Sequence, residues 1–176
     1  MKTRGEIAKE NFLKGHNCAQ AVLLAFEDVT GLPRDAAMRL ASSFGGGMGR
    51  MREVCGSVSA AMMVLGLVHG YDAESSTEKE DKAAHYARVQ ALAGRFREER
   101  GSIVCREILA RHAEKKRAEN GDDAQTLAMA STDPTPTPRT EEYYAKRPCI
   151  AVVECAANLL EEYLRELNDA EPSKQE

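Results

Sequence analysis

Cys18, Cys55, Cys105 and Cys149 each fall where the sequence reads as the start of a helix, and a cysteine so placed can do chemistry. The free N–H groups and positive dipole end of a helix N-terminus favour a thiolate, lowering the pKa from its usual value of roughly 8.5. Thiolates attack disulfides and bind soft metals. The four cysteines are 37, 50 and 44 residues apart, so only the folded chain can gather them. Four thiolates match the ligand count of tetrahedral zinc or of a [2Fe–2S] centre. The chain has no Cys-x-x-Cys pair, which counts against structural zinc held by a tight turn and against a thioredoxin-like couple. Ligands dispersed over separate helices suit a cluster and a pair of reversible disulfides equally.

Other residues bear on that site. Phe44-Gly45-Gly46-Gly47-Met48-Gly49 lacks the Gly-Lys-Ser/Thr ending of a phosphate cradle and follows a helix rather than a strand. Its expected role is to bring backbone N–H groups close to Cys55, with Gly56 following directly, and so tune sulfur chemistry. That setting, with both donors and access, marks Cys55 as the expected most reactive thiol. Arg50 and Arg52 border the loop and offer charge to a thiolate. His16, two residues before Cys18, is a further candidate to ligate metal or to favour the thiolate. His69, His85 and His112 follow no pattern and are assigned to the surface or helix ends. Cys155 comes six residues after Cys149, about 600° of helical rotation, which places it roughly 120° around the axis and points to core. Met48, Met51, Met62 and Met63 read as core fillers.

The elements that must position these residues are helical. Apolar residues recur at helical spacing almost throughout, and no segment alternates like a strand. The expected fold is all-α, a compact multi-helix bundle. Helices are read at about 3–14, 18–26 capped by Asn17, 34–43, 54–70, 77–100, 103–116, and from Pro148-Cys149 through Leu167. Segment 18–26 is apolar nearly all round and therefore central. In 77–100 the inward stripe is Tyr86, Val89, Leu92, Ala93 and Phe96. Asp133-Pro134-Thr135-Pro136-Thr137-Pro138 cannot continue a helix, so about 118–147 is a long irregular connection, a cover or a mobile excursion. One domain over 1–168 and a polar tail at 169–176 complete the division.

At 176 residues, net charge −4 and pI near 5.7, the chain has no basic excess for general nucleic-acid binding. Neither a secretory signal nor an apolar run of about 20 residues is present, so no membrane insertion is expected and the cytoplasm is the expected location. Five cysteines there point to metal, reversible redox or burial rather than a disulfide framework. The apolar helices need extensive cover, which a bundle core or a homo-oligomer would supply.

Taken together, Asn17-Cys18-Ala19-Gln20-Ala21-Val22, the glycine loop, Cys55-Gly56-Ser57-Val58-Ser59-Ala60, Cys105-Arg106-Glu107-Ile108-Leu109 and Pro148-Cys149 resemble a family of redox-active proteins. That family is named for one cysteine, a Cys-Gly-Ala-x-x-Gly motif and two further cysteines. The resemblance spans about residues 15–164 and makes Cys18, Cys55, Cys105 and Cys149 the four family cysteines. This chain has Ser57 and Ala60 where the motif has Ala and Gly, and the Pro-Thr stretch before Cys149 looks like an insertion. The resemblance implies an α-helical protein of oxidoreductase type, working with a redox partner. It also extends to the non-haem part of split-Soret cytochromes, where such cysteines hold an iron–sulfur centre. Without Cys-x-x-Cys-His, no covalent haem is expected. Two alternatives stand beside electron or thiol–disulfide transfer: a non-enzymatic metal- or cluster-binding protein, and a helical interaction module with incidental thiols.

Overall fold

Asn17 builds the centre of the molecule by capping the helix that follows it. Its side chain accepts from the N–H groups of Ala19 and Gln20, and Gln20 reaches back to the Asn17 N–H, a complete capping box. The helix so started, α2 (Cys18–Leu24), buries Ala19, Ala21, Val22, Leu23 and Leu24. It packs against α1 (Arg4–Leu13), α4 (Arg34–Ser42), α5 (Gly56–His69) and the last helix, α9 (Cys149–Ala170). Helix α9 in turn lies along α1, α5 and α6 (Glu78–Arg100). A single turn, α3 (Glu27–Thr30), joins α2 to α4, and α7 (Cys105–Asn120) lies over the end of the bundle where the cysteines gather. The last element, α8 (Glu141–Lys146), precedes α9.

The structure, a computed structural model, describes residues 1–72, 78–120 and 131–170. The expected helix start at Thr77, the middle of the excursion (121–130) and the tail from 171 lie outside the described residues. Among the described residues the fold is all-α, and the nearest approach to a strand is an isolated antiparallel bridge between Val54 and Val104. No described helix is long and apolar enough to cross a membrane.

Several expectations need correction. Tyr86 is 53% exposed, edge-on to Tyr71, because the first half of α6 runs past the bundle; only Leu92, Ala93 and Phe96 of its stripe are buried. Met51 is 58% exposed at the outer bend of the glycine loop, whereas Met62 and Met63 do pack on the core. The excursion begins later than 118, since α7 runs to Asn120. It also contains α8, whose start is fixed by Thr140 accepting from the Tyr143 N–H at 3.2 Å.

Candidate functional site

The four cysteines do mark helix starts. Cys18, Cys105 and Cys149 are the first residues of α2, α7 and α9, and Cys55 caps α5. All four line one cavity of about 310 Å³. Two of the starts are tied together by backbone. Around the Val54–Val104 bridge, the Cys55 N–H donates to the Ile103 carbonyl at 2.8 Å and the Cys105 N–H to the Glu53 carbonyl at 2.6 Å. The Arg106 N–H adds a third bond to the Arg52 carbonyl at 3.0 Å. Residues 50 positions apart in sequence thus arrive side by side.

The glycine loop supplies close approach, though to a different cysteine from the expected one. Gly46, Gly47, Met48, Gly49, Arg50 and Arg52 all have φ between 57° and 75°. For the three non-glycine residues this left-handed geometry costs roughly 1–2 kcal/mol each, strain of the kind held at functional sites. A side-chain carbon at Gly47 would sit 2.7 Å from the Cys105 Cβ, and one at Gly56 would sit 2.6 Å from the Cys18 sulfur. Gly45, Gly46 and Gly49 line the cavity itself. The loop therefore backs onto Cys105, and Gly56 backs onto Cys18.

Charge at the cavity is one-sided. Arg50, Arg52, Arg139 and Arg147 line it, and among the described residues no carboxylate does. Arg52 is 4% exposed; its Nε donates to the Ser131 carbonyl at 2.9 Å, while its Nη2 is buried with no hydrogen-bond partner. Arg50 Nε donates to the Asp133 carbonyl at 2.5 Å. These bonds fasten the excursion over the cavity, with Pro134, Pro136 and Thr137 on its wall. Farther along, Arg139 stacks on Phe12 and Tyr143 at 4.4 and 5.2 Å and donates to the carbonyls of Phe12 and His16. Residues 131–139 of the excursion thus cover the cavity. The excursion's arginines and Tyr143 are site residues that the helical pattern alone did not single out, although Thr140-Glu141-Glu142 carries a cap-and-acid signature for α8.

Burial overrules the helix-terminus effect on the thiols. Cys55 is 6% exposed, so it lacks the expected access, and burial followed by the neighbouring Cys18 and Cys105 pushes its pKa well up. The density of protein around the Cys149 sulfur, then Cys18 and Cys105, pushes that thiol up to about 12. Cys105 is raised by burial and by Cys18, against the downward pull of the Arg52 guanidinium. Cys18 contributes to the rise in each case. A thiol at about 12 is ionised in roughly one molecule in ten thousand at pH 8. In reduced, metal-free native protein, Cys55 and Cys149 should therefore be the last alkylated at pH 8, and denaturant should erase the order; peptide mapping of a timed iodoacetamide series checks this, and early labelling of Cys55 would refute it. The folded pKa values lie above the unfolded ones, so stability from these neutral thiols is complete below about 8.5 and lost as pH rises toward about 12.

His16 stands apart from the cavity wall, its ring pKa lowered by burial and by Arg34. Cys155 is half-buried and also stands apart, so the expectation of core holds only in part. Among the described residues no three histidine, cysteine or acidic side chains are close enough to hold a single metal ion; a tetrahedral ion would draw its sulfurs to within about 4 Å. The four cysteines are thus not arranged as a ready single-ion site. A larger anionic, sulfur-rich group fits better: four thiols surround a cavity into which helix starts, arginines and two buried unpartnered donors, Arg52 Nη2 and Ser57 Oγ, converge.

Comparison with known proteins gives one match. The model of a family described as "Putative redox-active protein (C_GCAxxG_C_C)" matches residues 16–163. No curated protein and no solved structure matches.

Proposed function

The chain belongs to this redox-active family, and we propose that it carries electrons at an iron–sulfur cluster held by Cys18, Cys55, Cys105 and Cys149. The observation that carries the reading is the one cavity shared by four thiols from four helix starts, lined by arginine and, among the described residues, by no carboxylate. Such a cluster supplies a one-electron couple whose potential responds to charge, burial and hydrogen bonds at sulfur.

The chain's own residues do the rest. On loading, the four thiols give up their protons to solvent, and the positive ends of α2, α5, α7 and α9 face the charge that results. Arg52 and Arg147, which already act on Cys105 by charge, offset it further. The Val54–Val104 bridge fixes Cys55 and Cys105 relative to one another. The cover, fastened by Arg50 and Arg52, forms one wall of the cavity. Five thiols suit a reducing cytoplasm, and the partner is a one-electron carrier.

A second reading is a reversible disulfide between Cys18 and a neighbour, two thiols losing two electrons and two protons together. The gathering of Cys18, Cys55, Cys105 and Cys149 on the wall of one cavity favours it. Anaerobic purification, with iron, acid-labile sulfide, visible spectrum and free-thiol count on one sample, separates the two. Iron and sulfide in equal amounts are expected. No iron, with thiols lost on mild oxidation and recovered on reduction, would establish the disulfide couple instead.

A further inference from the structure

Ser57 is fully buried, lines the four-thiol cavity, and has a hydroxyl with no hydrogen-bond partner among the described residues. Two residues on, Ser59 behaves as helical serines commonly do, its hydroxyl donating back to the Cys55 carbonyl at 3.3 Å. Ser57 makes no such bond, and an unpaired buried hydroxyl is destabilising. The fold does not need it: alanines at 60 and 61 pack fully in the same helix. An unsatisfied donor kept on the wall of the four-thiol cavity calls for an acceptor that arrives with a ligand.

Resting on the reading that the four cysteines hold an iron–sulfur cluster, we propose that the Ser57 hydroxyl donates a hydrogen bond to sulfur of the bound group and raises its reduction potential. The sulfur gains negative charge on reduction, so a donor aimed at it stabilises the reduced form more than the oxidised form. Ser57 is thus a positioning residue that tunes the couple without being a ligand. The same hydroxyl is a liability in the empty protein and an asset in the loaded one.

The test compares wild type with Ser57→Ala, each loaded anaerobically with ferrous iron and sulfide. Iron and sulfide are counted first, then the potential is read from visible absorbance during a dye-mediated titration. Equal loading is expected, with the one-electron reduction equilibrium of Ser57→Ala lowered roughly tenfold, about 59 mV. Metal-free Ser57→Ala should melt above metal-free wild type, because its unpaired hydroxyl is gone. Equal loading with equal potentials would overturn the role of Ser57 and leave the cluster standing. Failure of wild type to take up iron and sulfide would remove the cluster, and this role with it.

Discussion

Cys18→Ser should lose more than nine-tenths of the iron and sulfide that wild type retains, while Cys155→Ser keeps it all. Cys18 lines the same cavity as Cys55, Cys105 and Cys149, and it helps to raise the pKa of each of those thiols. Replacing its sulfur by oxygen leaves the size of the residue nearly unchanged, and the Asn17 capping box does not involve the side chain at 18. The helix therefore persists and the defect stays at the site. Removing this thiol also removes the largest charge repulsion acting on Cys149, so the Cys149 pKa should fall from about 12. Faster alkylation of Cys149 at pH 9 in metal-free Cys18→Ser would register that change independently of any metal. Full iron retention in Cys18→Ser would remove it from the ligand set.

Gly47→Ala should be the most damaging of the small substitutions. Its φ of 75° puts a side chain in the left-handed region, at roughly 1–2 kcal/mol. The new carbon would also lie 2.7 Å from the Cys105 Cβ and 3.0 Å from the Glu53 backbone N, so the overpacking adds about 1–3 kcal/mol. Together these predict a loss of roughly 2–5 kcal/mol in urea unfolding of the metal-free protein. Neither obstacle is the free end of a flexible chain. Glu53 accepts from the Cys105 N–H, so relief of the clash must pull at the strap of hydrogen bonds joining Cys55 to Cys105. A change below about 0.5 kcal/mol would show that the loop yields without cost.

The scaffold was largely legible in the sequence because its signals are local. Asn17 followed by Gln20, the apolar run after Cys18 and Pro148 before Cys149 each specify a helix start within a few residues. The convergence of those starts was suggested by the cysteines and their resemblance to a family. The state of the thiols was not legible: the helix-terminus argument predicts depressed pKa values, whereas the density of packing, a property of the whole fold, raises them. The Val54–Val104 bridge leaves no pattern, because one residue pair is too short for alternation to show. Tyr86 and Met51 were misplaced for the same reason. Periodicity tells which face of an element is apolar, but not where the neighbouring element ends.

The cover is latched by its main chain. Arg50 and Arg52 reach the carbonyl oxygens of Asp133 and Ser131, 83 and 79 residues downstream, and every amino acid carries that carbonyl. The side chains at 131 and 133 are consequently free to drift without loosening those two bonds, whereas Arg139 holds through its own side chain. What the protein shows to a partner can diverge while the sulfur ring beneath stays the same: the lock resides in the glycine loop, and the door can be repainted.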